Sequence, residues 1–240
     1  MFPYIVINGV SSKTINGLVI QSLPPITKPK IRVQTEEIDG RDGDIVNRLG
    51  FSAYDKTISI GLHGQFNVDD VIEFFNTSGK ITFSNEIDKY YKFAIYDAID
   101  FERLVRFRTA NVNIHVQPFK YSIEEPPITR QNDRNQTILT LKVWNHGNIH
   151  AKPKVIIRAK KTVTLYVNKT EILKATLDNS NFETIIIDAE TMNATDENGN
   201  FQNRKVTGDY SNLIIPSGRG EVMVTGEIDR VTIENYSRWI

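Results

Sequence analysis

Apolar and polar residues exchange places at every second position along much of this sequence, and that period of two limits the fold before anything else does. Ile58, Ile60 and Leu62 alternate with Thr57, Ser59 and Gly61, and Val112, Ile114 and Val116 alternate up to Pro118-Phe119. The second half repeats the pattern in Leu139, Leu141 and Val143 ahead of Trp144, in Val163, Leu165 and Val167, in Val222 with Val224, and in Val231 with Ile233. Successive side chains of a strand point to opposite faces, so each run reads as a half-buried strand. Short continuous runs (Tyr4–Ile7, Leu18–Ile20, Ile81–Phe83, Tyr91–Ile95, Leu104–Phe107, Val155–Ile157 and Ile185–Ile187) add further strands. Asn8-Gly9, Asn16-Gly17, Asn145–Asn148 and Asn198-Gly199 supply turns between them. The chain is mainly β.

One helix interrupts this pattern. Asn67 is a good N-cap, and Asp69 and Asp70 occupy a first turn where the helix dipole favours carboxylates. Val68, Val71, Ile72 and Phe75 fall at i, i+3, i+4 and i+7 as one apolar stripe, and Gly79 reads as the stop.

A second interruption spans Pro24 to Gly43. Pro24, Pro25 and Pro29 make a rigid, extended entry that cannot belong to a central strand. The short strand Ile31, Val33, Thr35 follows and ends in the charged double-glycine corner Asp39-Gly40-Arg41-Asp42-Gly43. Glycine at 40 and 43 permits the positive φ that Asp-Gly turns commonly require. The stretch is expected to leave its own domain as an extended hairpin arm, with Ile31, Val33, Thr35, Gly40, Arg41, Asp42 and Gly43 as candidate oligomer-interface residues.

Residues 120–136 turn polar and carry the paired prolines Pro126-Pro127, which places a domain division there: residues 1–130, then residues 131–240. The N-terminal part reads as β-sandwich-like with one helix. Short strands with Asn/Gly turns make the second part a β-sandwich.

Composition removes several function classes. The chain has no cysteine, so disulfides, zinc–thiolate sites and thiol nucleophiles are absent. Basic and acidic residues balance at 29 each, with 14 against 14 in residues 1–120 and, by difference, 15 against 15 in residues 121–240. A nucleic-acid binder usually carries a basic excess, and none is visible. No apolar run approaches the roughly 20 residues of a membrane-spanning helix, and no signal peptide opens the sequence. No contact with a membrane is expected.

Candidate chemistry is sparse. His63 and His115 lie on the polar register of their strands and read as solvated surface residues. His146 and His150 are four apart but flank a glycine turn, whereas zinc hydrolases carry such a pair on one helix with a glutamate between. Asp196, Asn198 and Asn200 place oxygens at alternate positions, but an EF-hand needs Gly sixth and Glu twelfth, where this chain has Phe201 and Thr207. Neither a phosphate loop nor a Gly-x-Ser-x-Gly elbow occurs. Trp144 and Trp239 are expected to fill a sandwich core, and because Trp144 adjoins a short turn, no sugar-binding groove is expected around it. No catalytic residue, cofactor or metal site is expected.

INGV near the start, then PPI and GRDGDI, resembles the opening of the siphophage distal tail proteins, the Dit family. Phe93-Ala-Ile-Tyr-Asp97, the Pro118-Phe119 close, Asn145-x-Gly147-Asn148 with Ala151-x-Pro153, Ile187-Asp188, Ile214-Ile215-Pro216-Ser-Gly218 and Arg238 follow in the family's order. The resemblance covers nearly the whole chain. It implies a ring-forming N-terminal domain with an extended arm and a galectin-like C-terminal β-sandwich. It also implies a structural hub at the distal end of a long non-contractile tail: a homo-oligomeric, hexameric ring joined to the tail tube protein, to a tail-associated tip protein and to a receptor-binding protein. DNA would pass through the ring without specific binding, and the family has no catalytic residues to carry over. The second reading of the residues is a stand-alone carbohydrate-binding or glycan-hydrolysing β-sandwich.

Overall fold

In the computed structural model, which describes residues 2–240, the alternating runs become the strands of two separate compact units. The first spans residues 2–123 with Ile240, and the second spans Glu124–Trp239. The division thus falls ahead of the expected 130/131, because Ile128–Gln131 is itself a strand paired with the last long strand of the second unit.

The first unit contains β1 (Ile5–Ile7), β2 (Val10–Ser11), β3 (Leu18–Ser22), β4 (Ile31–Glu37), β5 (Asp44–Phe51), β6 (Tyr54–Leu62), α1 (Val68–Phe75), β7 (Ser78–Phe83), β8 (Lys89–Ala94), α2 (Phe101–Phe107) and β9 (Thr109–Ser122). Seven of these strands form one antiparallel sheet in the order β2-β1-β7-β8-β9-β6-β3. Asn8 and Gly9 both take positive φ, 48° and 88°, and close the tight β1–β2 hairpin as Asn-Gly turns do. Ile58, Ile60, Val112, Ile114 and Val116 are all fully buried, which confirms the period-two reading of β6 and β9.

The helical expectations need three corrections. Asn67 caps α1 by accepting from the Asp69 N–H at 3.0 Å, but the buried face is Val71, Phe74 and Phe75, and Ile72 is exposed. The helix stops at the Asn76 cap, so Gly79 is not its stop. Gly79 lies within β7 at φ 135°, where a Cβ would sit 2.3 Å from the Asn8 Oδ1. Leu104–Phe107, expected as a strand, belongs to a second helix. Asp100 starts α2 by accepting from the Arg103 N–H at 2.7 Å, Glu102 and Arg106 suit its dipole, and Leu104 anchors it in the core.

The second unit contains β10 (Ile128–Gln131), β11 (Ile138–Asn145), β12 (Lys154–Val167), β13 (Thr170–Thr176), β14 (Glu183–Asp188), β15 (Asn193–Thr195), β16 (Val206–Gly208) and β17 (Gly218–Glu234). Four apolar runs of the sequence occupy only two strands. Val155–Ile157 and Val163–Val167 are the two ends of β12, and Val222–Val224 and Val231–Ile233 are the two ends of β17. These strands pair along their length but slip register together between Lys160 and Thr164. Lys161 takes φ 59° there, and Gly226 takes φ 131° where a Cβ would meet the Thr162 carbonyl oxygen at 2.6 Å. The double bulge folds the sheet on itself, since bulges bend strands and sharpen their twist. One layer is then β10, the end of β17, the start of β12, β14 and β15; the other is β11, the start of β17, the end of β12, β13 and β16. A single core runs between them from Leu139, Leu141 and Val143 to Val231 and Ile233. The result is a β-sandwich.

Candidate functional site

The stretch from Pro24 to Phe51 is built in two parts, a clamped root and a free arm. At the root the chain is extended and its prolines 24 and 29 are buried. Its carbonyls are taken up by side chains of β6 and of the β7–β8 turn. Asn85 Nδ2 donates to the Pro24 carbonyl at 3.3 Å, Lys56 Nζ to that of Pro25 at 2.8 Å, and the Tyr54 hydroxyl to that of Thr27 at 3.4 Å. Prolines cannot donate, so at Pro24 and Pro25 the carbonyl is the backbone group left to clamp.

Behind those contacts lies a buried charge network that the sequence reading missed. Lys56 and Lys120 are 4% and 6% exposed. Lys120 Nζ pairs with Glu86 at 2.8 Å, and the Tyr91 hydroxyl donates to the other Glu86 oxygen at 2.8 Å. The Lys56 ammonium sits 5.2 Å from the Tyr91 ring centre and 5.4 Å from that of Tyr54. Burial pushes the Lys56 ammonium below the ordinary lysine range, Glu86 works against that shift, and Lys120 adds to it. Burial likewise pushes the Tyr91 and Tyr54 hydroxyls upward.

Beyond the root, β4 and β5 form a two-stranded sheet of their own. Phe51 meets Phe119 edge-on at 5.5 Å, and the Ser52 N–H donates to the Lys30 carbonyl at 2.8 Å, which ties down the hairpin base. Register places Phe51, Arg48 and Val46 beside Ile31, Val33 and Thr35. Ile31 is half-buried near the base, whereas Val33 is 47% and Val46 56% exposed. Leu49, at a bulge, is 56% exposed. Gly40 and Gly43 take φ of 81° and 77° in the corner, and nothing lies within 4 Å of a Cβ at either position. Arg41 and Asp42 are exposed, and among the described residues neither makes an ion pair. The structure therefore brings all seven candidate residues into one hairpin. A two-stranded hairpin is marginally stable at best in water, and this one exposes apolar residues on a face that its own unit leaves uncovered.

The other candidates are dispersed. His115 lies on the outer face of β9, 2.7 Å from the Asp55 carboxylate across the strand pair, and His63 is exposed. Burial beside Arg238 and Lys152 lowers the His150 imidazole below its usual range. The Asp196 carboxylate is consumed by its own loop: it accepts from the Asn200 side-chain amide at 2.9 Å and from the Asn200 and Asn198 N–H groups at 2.9 Å each, and these bonds hold it below the usual aspartate range. Trp144, expected in the core, instead stands on the outer face of β11 at 47% exposure. Its neighbours Leu141 and Val143 are buried, so alternation sends Trp144 outward.

Set against solved structures, the whole chain has the fold of distal tail hub proteins. It matches the crystal structure of SPP1 Dit (gp 19.1), described as a paradigm of hub adsorption apparatus in phages infecting Gram-positive hosts, with a TM-score of 0.64 at 15% identity over 100% of both chains. It also matches a chain of the phage P2 baseplate in its activated conformation, with a TM-score of 0.51 at 10% identity over 100% of this chain and 99% of that one. No family model matches the sequence, and no curated protein sequence matches it.

Proposed function

We propose that this chain, with its Dit-like fold, is a structural hub at the distal end of a long non-contractile phage tail. The observation that carries the reading is the end-to-end match to a Dit protein, with both units of this chain covered in one alignment. The hub is a homo-oligomeric ring, a hexamer, that joins the tail tube to the tip proteins, with a receptor-binding protein attached and DNA passing without specific binding. It works by assembly rather than catalysis. The two solved structures described above lend no support to the second reading, a stand-alone lectin or hydrolase.

Ring closure is assigned to the arm. The face bearing Val33, Thr35 and Val46 gains from burial against a neighbouring copy, and the outer edges of β4 and β5 offer unpaired backbone groups for strand addition. Arg41 and Asp42 at the corner are free to pair across that contact. Gly40 and Gly43 aim the corner, and their cost of replacement is conformational alone, since no atom crowds either one. The test is Gly40→Val with Gly43→Val in one chain. Multi-angle light scattering is expected to report an oligomer for the wild type and folded monomers for the double variant, with both units intact by circular dichroism. A double variant that assembles as the wild type does removes the arm from ring closure. A wild type that is monomeric at tens of micromolar removes the ring.

A further inference from the structure

The outer face of the second unit carries a cleft that the hub reading does not use. In the β11–β17 register Lys142 faces Glu221 and Trp144 faces Arg219, so four large polar or aromatic side chains form a square on one face of the sheet. Gly220 lies between the two β17 residues and opposite Val143. Asn168, in the β12–β13 turn, closes one side. Its backbone N–H donates to the Glu221 carbonyl at 2.9 Å, and its Oδ1 accepts from the Glu221 N–H at 2.9 Å. The cleft is open to solvent, about 600 Å³ in volume, and lined by Lys142, Trp144, Asn168, Arg219 and Glu221.

A lone exposed indole means little, because single apolar residues are common on protein surfaces. Its surroundings are what count. The Arg219 guanidinium lies over one face of the indole, 5.3 Å from its centre, and the His146 ring lies 6.2 Å away. Among the described residues, the side chains of Lys142, Arg219 and Glu221 make no hydrogen bond or ion pair, although Lys142 and Glu221 are direct cross-strand partners. Two cations, one carboxylate and one aromatic plane therefore converge with their hydrogen-bonding capacity unspent.

We infer that this cleft binds a saccharide unit carrying a carboxylate or phosphate. The indole offers a flat apolar platform for the carbon face of a sugar ring. Arg219 and Lys142 supply donors for an anion, Arg219 in the planar fork that suits carboxylate and phosphate. Glu221 accepts from ring hydroxyls, as an ionised carboxylate with no internal donor is free to do. A protein partner fits less well, because lysine and glutamate are depleted at the centre of protein interfaces, whereas here Lys142 and Glu221 stand beside the aromatic. The inference uses only the second unit and does not depend on the ring.

The test labels the full chain with 5-fluorotryptophan and follows the fluorine resonances of its two tryptophans, Trp144 and Trp239. Trp239→Phe assigns them. D-glucuronate, D-glucose 6-phosphate and D-glucose are titrated separately. One of the two acids is expected to move the Trp144 resonance saturably while Trp239 stays put, with glucose at least about tenfold weaker; Arg219→Ala is expected to weaken that binding by about tenfold or more. The acid that binds identifies the anion. Absence of any saturable shift with all three probes overturns the proposal. So does glucose binding as tightly as the acids, or binding that survives Arg219→Ala unchanged. A Trp144 resonance that responds only to protein concentration would make the cleft a contact between copies, and would equally overturn it.

Discussion

Glu86 is the residue on which the arm root depends. Its side chain is 12% exposed and its two oxygens are engaged by Lys120 and Tyr91, with the buried Lys56 close by. Truncating one partner of a buried pair leaves a charge without compensation, which costs far more than the pair is worth. Glu86→Ala is therefore expected to destabilise the first unit by about 3–5 kcal/mol in urea unfolding. Glu86→Leu combined with Lys120→Met is expected to recover much of that loss; equal stability of Glu86→Ala and wild type would dismiss the network as a stabilising element. The two lysines were legible in the sequence. Lys56 is in phase with Ile58 and Ile60, and Lys120 with Ile114 and Val116, so the alternation places both on the inner face. Glu86 was not, because it sits in a turn where no period applies. The same alternation, applied to Leu139, Leu141 and Val143, sends Trp144 outward and contradicts its placement in the core.

Among the elements, the last segment of the second unit is held in part by one carboxylate. Glu125 accepts from the Tyr236 N–H at 2.9 Å and the Ser237 N–H at 3.2 Å, while the Tyr236 hydroxyl donates to the Pro126 carbonyl at 3.0 Å. Burial pushes the Glu125 carboxyl above the usual glutamate range, and those hydrogen bonds offset only part of the shift. A raised folded value means that the folded state holds this proton more tightly than the unfolded state does. Its contribution is then fully present below the ordinary glutamate value, about 4.3, and is lost as pH rises through the folded value. Glu125→Gln has no such proton to lose and keeps an acceptor oxygen. Urea titrations stepped upward from about pH 4 are expected to show that downward slope in the wild type and its absence in the variant; identical slopes would dismiss the assignment. Strand existence was readable at this scale, and strand continuity was not. Nothing local announces that β12 and β17 each continue through a bulge, because the partner strand's carbonyl at Thr162 is what demands Gly226. Helix α2 was misread for a related reason: Phe101, Leu104, Val105 and Phe107 are apolar at spacings that suit either period, and only the Asp100 cap decides.

At the level of the whole molecule, each unit owns a separate core. The second gathers residues from Leu139 to Tyr236 into one cluster, and the first gathers residues from Ile5 to Val116 into another. A fragment covering Glu124–Trp239 is accordingly expected to fold alone, with cooperative unfolding and dispersed amide resonances. A fragment that stays unfolded would show that the second core needs the first unit. The geometry of that unit also sets how it answers to force. Its first strand, β10, lies antiparallel to the end of its last, with Ile128 opposite Ile233, so the chain enters and leaves at the same place. A pull on those two points loads the rungs of the β10–β17 ladder one after another, as a zipper opens, rather than all together in shear. Such a unit yields at low tension.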